Sequence, residues 1–214
     1  MRRIIKGGIP QSLIDWVTNN PNSVYDDLSL LANNVVGYSI RQDIRSACAL
    51  EQFYLCAYCC DRIADNRTSS HNEHIHCQAD HSNLSLRFDN IVVSCNAKDS
   101  CGSYKANHAI ALTPLMAECE AEVRYNLNGK VRHTSQRGQN LNSRTNLNCR
   151  RLVNRRAKLV EALIFEQITD TDELGLLDEE MIELIIEDLA IPGNDNKLPP
   201  FSPVLIRILR DLIA

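Results

Sequence analysis

Two pairs of cysteines, Cys56 with Cys59 and Cys95 with Cys101, restrict the fold of this chain more than any other feature. Two thiols separated by two residues can close on one metal ion, and a second pair downstream completes a four-thiolate shell of the kind that suits structural zinc. A shared ion draws both pairs to one point, so the residues between them must leave that point and return. Four inert core thiols are the alternative. Tyr58, Asp61, Arg62, Asn96, Lys98, Asp99 and Ser103 argue against it, because surroundings this polar do not bury an apolar cluster. Cys60 competes with Cys59 for the knuckle, but the Cys56-x2-Cys59 spacing gives the usual reach.

Inside the loop stands Glu73-His74-Ile75, a carboxylate next to an imidazole. Hydrolysis of a phosphodiester needs a base to activate water and a divalent cation to stabilise developing charge. His74 is the candidate base and Glu73 the candidate ligand of a catalytic Mg2+ or Mn2+, the two offered near a single point on one strand. Zinc without them would leave a nucleic-acid or protein-binding module that performs no chemistry.

At 214 residues the chain can bury a real core, and its formal charge of −4 excludes a uniformly basic nucleic-acid coat. Any such surface must be local. Residues 124–158 carry ten Lys or Arg and no acid, whereas residues 161–195 carry twelve Asp or Glu and no Lys or Arg. The first segment suits phosphates, with Arg151 and Arg155 on an arginine-rich helix, and Lys105 outside it, as candidate nucleic-acid contacts. The second suits a protein partner. Nine cysteines is an odd number, and neither an apolar leader nor a run of about 20 apolar residues is visible. These features predict a reduced, cytoplasmic protein without a membrane span, in which Cys48, Cys60, Cys77, Cys119 and Cys149 pack as small hydrophobes.

The periodicities predict an α+β fold, mainly helical, in three segments. Residues 1–38 hold extended chain and short helices, with Ser12 as a cap and Trp16 in the core. Residues 39–135 hold a helix at 39–54 that delivers the chain into Cys56, then strands at 71–77 and 91–93 separated by loop, and a helix at 102–111. That order is a ββα unit with metal ligands at its corners. The segment ends in a hairpin whose Asn128-Gly129 forms a two-residue turn, both positions at positive φ. Residues 136–214 hold a basic helix at 144–168 with its arginines outward, and two more helices at 173–189 and 203–213, the last capped by Ser202 with Pro203 as its first residue.

Cys56-x2-Cys59, Glu73-His74-Ile75, Asn90-Ile91-Val92-Val93-Ser94-Cys95 and Cys101-Gly102-x2-Lys105 together resemble the HNH, or ββα-metal, endonuclease superfamily. The resemblance implies that His74 activates water, Glu73 binds the catalytic ion, Asn90 braces the loop, and Cys56, Cys59, Cys95 and Cys101 hold zinc. The opening Met1–Lys6 with Pro10 and Trp16, the Glu51-Gln52-x2-Leu55 approach to the knuckle, Ser94-Cys95-Asn96, the hairpin at 125–131 and Leu147-Asn148 are similar to the PtuB family. Those proteins are HNH subunits of Septu-type and retron-associated anti-phage systems. This further likeness implies an effector nuclease held by a PtuA-like ATPase, with a retron RNA/DNA complex as another partner.

Two positions depart from the family pattern. Gly102 stands where many HNH sites carry a histidine or asparagine as a further ligand of the catalytic ion, and glycine has no side chain to offer. Asn107 or His108 on the same helix is the candidate substitute, although neither lies one turn on from Gly102. His76-Cys77 replaces the usual proline after the acid-His-Ile step, with His76 either an extra ligand or a bystander facing the loop.

Overall fold

Ile40, Ile44 and Cys48 recur every four residues along α3 (Val35–Glu51) and are fully buried, so one stripe of this helix faces the core. The computed structural model describes residues 1–30, 35–165 and 179–213. Among the described residues the fold is α+β and about 47% helical, with two small antiparallel sheets. Helices supply most of the core, and the strands position side chains.

Before α3, residues 1–10 are extended, followed by α1 (Gln11–Asn19) and α2 (Asp27–Leu30). Leu13, not Trp16, is the buried residue of α1; the indole is half-buried and donates to Ser23 Oγ at 3.0 Å. Ser12 does not cap α1, whose N-cap is Pro10. It donates instead to Asp43 Oδ2 at 2.6 Å and ties α1 to α3. At the far end of α3, Phe53 and Tyr54 take positive φ (52° and 57°), which closes the helix and turns the chain toward Cys56.

Strand β1 (Ser70–His74) pairs antiparallel with β2 (Ile91–Cys95), in a register that sets His71 opposite Ser94 and Glu73 opposite Val92. β1 stops earlier than its polar-apolar alternation suggested. The connection contains two 3-10 turns, at Ser82–Leu84 and Phe88–Asn90, where only loop was expected. Helix α4 (Cys101–Lys105) completes the ββα order but is a single turn, because Ala106 takes a φ of 47° and ends it.

After α5 (Cys119–Glu122), β3 (Val123–Tyr125) and β4 (Val131–His133) form the expected hairpin with a different turn. Gly129 N–H donates to Asn126 O at 2.9 Å, and Gly129 (φ 77°) has positive φ while Asn128 does not. This is a turn centred on Leu127 and Asn128 with a glycine bulge after it. Glycine is also required sterically, since a Cβ there would lie 2.3 Å from Val153 O.

The basic segment divides in two. α6 (Gln136–Thr145) is capped by Ser135, which accepts from Gly138 N–H at 3.0 Å, and it ends at Asn146 in the left-handed region. α7 (Arg150–Phe165) follows, so a continuous helix from 144 is broken where Asn146 reverses its backbone. Arg156 turns inward, fully buried, and donates to Gly129 O at 2.8 Å. The end of the expected basic helix, at 166–168, and the start of the next, at 173–178, lie outside the described residues. α8 (Glu179–Ala190) packs its Ile182, Ile186 and Leu189 against α9 (Ser202–Leu212), which buries Val204, Leu205, Ile208 and Leu209. Phe201 is the N-cap of α9, and Ser202 its first residue.

One buried cluster runs from Met1 to Leu209 and draws on all three expected segments. Backbone bonds join them as well, with Phe201 N–H donating to Cys60 O at 2.7 Å. Among the described residues, no helix is long and apolar enough to cross a membrane.

Candidate metal centre and the polar cluster beside it

Gln52, buried near the end of α3, fixes the knuckle against β2. Its side-chain amide donates to Leu55 O and Val93 O at 2.8 Å and accepts from Val93 N–H at 2.7 Å. Ala57 N–H adds a bond to Val93 O at 3.0 Å. The free edge of β2 therefore pairs with the knuckle, and Cys95 at the strand's end meets Cys56 and Cys59. Cys101, with a φ of 60°, opens α4 at the same point.

The sulfurs of Cys56, Cys59, Cys95 and Cys101 all lie within 4.8 Å of one another. Thiolates bonded to one zinc at about 2.3 Å would stand roughly 3.8 Å apart, so the cluster is close to that arrangement. Two backbone donors point at sulfur: Asp61 N–H at Cys59, 3.5 Å, and Cys95 N–H at Cys56, 3.3 Å. Such donors favour thiolates, and neutral buried cysteines have no need of them. Bonds from the other cysteines and burial push Cys59 well above the ordinary thiol value. Cys101 is raised likewise by Cys56, Cys95 and burial, with Cys59 pulling against them. Burial raises Cys56, but bonds from the other three hold it well below that value, and a bound cation would favour thiolates at all four. The four cysteines can hold a metal ion such as zinc. Cys48, Cys60, Cys77 and Cys119 are buried outside the cluster, and Cys149 is half-buried.

Alternation along β1 sends His71 and Glu73 to the face that α4 covers, and Asn72 and His74 to the face that α3 and Tyr25 cover. Glu73 is buried, and its two oxygens have different partners. Oε1 receives Lys105 Nζ at 2.9 Å and Tyr58 OH at 3.1 Å. Oε2 faces His71 Nε2 at 3.5 Å. His71 Nδ1 is in turn 3.0 Å from Asn96 Oδ1. Burial raises the Glu73 carboxyl, but His71 and Lys105 outweigh it and hold the group below its ordinary value. Burial lowers His71, yet its bonds to Glu73 and Asn96 leave it above the ordinary histidine value.

On the other face, His74 Nε2 lies 2.9 Å from Ser85 O and the ring meets Tyr25 edge-on at 4.7 Å. A carbonyl only accepts, so Nε2 carries the proton and Nδ1 the lone pair of the neutral ring. Burial lowers the His74 pKa against the opposing pull of the Ser85 bond, which keeps the imidazole neutral. Asn90 spans the connection between the strands: its Oδ1 accepts from His76 N–H at 2.8 Å, and its Nδ2 donates to His76 O and Leu84 O at 3.1 Å.

These positions alter the site drawn from sequence. Glu73 and His74 leave the strand on opposite faces and do not converge at their tips; the carboxylate meets His71 instead. Lys105, expected at a nucleic-acid surface, is 1% exposed and is the buried counter-charge of Glu73, with a further bond to His74 O at 2.9 Å. Arg151 pairs with Asp99 at 2.9 Å, and Arg155 pairs with Asp61, so both expected phosphate contacts already face carboxylates. Asn107 and His108 lie beyond the end of α4 and are exposed. His76 is exposed, edge-on to His81. Sequence reasoning passed over His71, although strand periodicity alone puts it on the face of Glu73. A scan of family models and a search of curated proteins returned no match to this chain.

Proposed function

We propose that the protein is a metal-dependent HNH-type endonuclease that hydrolyses nucleic-acid phosphodiester bonds. What supports this most is that the four-cysteine cluster ties the knuckle, β2 and α4 together, and that β1, paired with β2, carries an ionised Glu73 and a neutral His74 at adjacent positions on its two faces. Zinc is the structural ion of the cluster. A Mg2+ or Mn2+ at Glu73 would supply stabilisation of charge on the leaving oxygen. Glu73, kept ionised by His71 and Lys105, is the residue that would hold that ion. From the opposite face of β1, His74 would take the proton of the attacking water on Nδ1, while Ser85 O fixes the ring through Nε2–H. Asn90 holds the connection in place by bonding across it.

The family likeness extends this to the effector of an anti-phage defence complex, with an ATPase as partner. The acidic α8, carrying Glu179, Glu180, Glu183, Glu187 and Asp188, is the surface for a protein contact. Arg150, exposed at the start of α7, serves phosphate.

Purified protein incubated with Mg2+ or Mn2+ and plasmid, single-stranded DNA or total RNA should cut at least one of them, and His74→Ala should slow cutting by about 100-fold or more. Undiminished cutting by that variant removes His74 as the base. A second possibility, a zinc-stapled binding module without catalysis, draws support from Lys105, whose ammonium already neutralises Glu73. Binding of nucleic acid or an ATPase with no cutting under any of these conditions would select it.

A further inference from the structure

The site proposed above lacks a side chain at Gly102, and the structure offers a replacement from the opposite element. We propose that His71 is the second protein ligand of the ion held by Glu73, and that the site therefore prefers an imidazole-accepting ion such as Mn2+ to Mg2+. This rests on the proposal that Glu73 binds a catalytic divalent ion.

Four observations carry it. The Glu73 carboxylate is divided, with Lys105 and Tyr58 both on Oε1, so Oε2 is the oxygen turned toward His71 Nε2. Their 3.5 Å separation is less than twice a metal–ligand bond of about 2.1 Å, so one ion can bond both. His71 Nδ1 meets the Asn96 side-chain oxygen at 3.0 Å, the arrangement in which a ligand histidine donates its other N–H to an oxygen that orients the ring. Finally, a Cβ on residue 102 would lie 2.6 Å from Glu73 Oε2 and 2.8 Å from His71 Nε2. Any side chain at 102 would occupy the space between the two donors, so the glycine that removes one ligand is what admits the other.

The chemistry of the donors sets the ion. Mg2+ strongly favours oxygen and keeps its waters, whereas Mn2+ and later divalent ions accept imidazole nitrogen readily. His71 is also the accessible member of the pair, with its side chain 33% exposed against 9% for Glu73, so an ion enters past the imidazole.

Mn2+ titrated into the zinc-loaded full chain and followed by electron paramagnetic resonance tests this. The wild type should bind one Mn2+ at least tenfold more tightly than Mg2+, with nitrogen modulation of the electron spin echo that is lost in His71→Ala and retained in His74→Ala. His71→Ala should weaken Mn2+ at least tenfold while elemental analysis still gives one zinc per chain. Gly102→Ala, which keeps every donor, should weaken it similarly. Asn96→Ala, which removes the bond to His71 Nδ1 together with one to Arg67 O, should cost about tenfold with the zinc content unchanged. If Glu73→Gln abolishes Mn2+ binding but His71→Ala leaves it unchanged, the ligand assignment is wrong while the ion at Glu73 stands. A wild type that prefers Mg2+ overturns the ion class, and one that binds no second ion overturns both proposals.

Discussion

Replacing Lys105 by methionine removes a charge that has almost no access to water. The ammonium is 1% exposed, pairs with Glu73 Oε1 at 2.9 Å, and donates to His74 O at the same distance. Methionine fills a similar volume and leaves the Glu73 carboxylate buried beside Tyr58 without its ammonium partner, with His71 as the basic group that remains. Breaking one side of a buried ion pair typically destabilises by about 3–5 kcal/mol, a large share of the roughly 5–15 kcal/mol of a whole domain. With a urea dependence of about 2–3 kcal/mol per molar, the unfolding midpoint of the zinc-loaded protein should fall by about 1–2.5 M. The pH dependence fixes the cause. In the wild type the Glu73 pKa is lowered, so its contribution is present above the unfolded value and lost as pH falls through the folded value. In Lys105→Met the buried carboxylate, short of its ammonium partner, is itself the destabilising group, so lowering the pH should narrow the gap from wild type. Glu73→Gln combined with Lys105→Met should recover about 2 kcal/mol relative to the sum of the single changes, because no charge is then left unmatched. A loss under about 1 kcal/mol, or strictly additive effects, would refute the pairing as a buried interaction.

Other outcomes follow from the same coordinates. Elemental analysis should find one zinc per chain, and Cys95→Ser or prolonged chelation should remove it with loss of cooperative unfolding, because the sulfurs are what join the knuckle at Cys56 and Cys59 to β2 and α4; a metal-free chain with an unchanged midpoint contradicts this. Cleavage should be full near neutral pH and fall only below about 6.5, the ordinary histidine value, since burial lowers His74 and the neutral ring is the active form. An acidic limb of kcat/KM centred above that value would point to a different base.

Periodicity made much of the fold legible. Ile40, Ile44 and Cys48 marked α3, the β-branched Ile91-Val92-Val93 marked β2, and the Asn-Gly step marked the hairpin. What it missed were reversals of the backbone at residues with side chains. Phe53, Tyr54, Ala106, Asn146 and Phe201 all adopt positive φ. Asparagine commonly takes this conformation at a helix end, but Phe53, Tyr54, Ala106 and Phe201 end or turn an element at residues whose chemistry gives little notice of it, since tertiary contacts compensate for the local strain. The hairpin turn followed the same logic: Gly129 sits against the α7 backbone, a long-range approach that no local pattern reports.

The site was legible in residue type and misread in direction. Spacing identified the four cysteines, because ligand chemistry restricts both the residue and the interval. Glu73 and His74 were treated as converging because they are adjacent, whereas a strand separates neighbours and unites alternate residues. Applied strictly, that rule assigns His71 to Glu73 and sets His74 apart, as the antiparallel register then requires. Lys105 could not be assigned in the same way. A lysine four residues after a cysteine on a one-turn helix gives no sign of whether it faces solvent or strand, and only the packing of α4 over β1 makes it the partner of a buried acid. Charge read from sequence counts ions; the surface available to phosphate depends on how many of them are already matched, and the Asp99–Arg151, Asp61–Arg155 and Glu73–Lys105 pairs take three of the expected contacts out of that count.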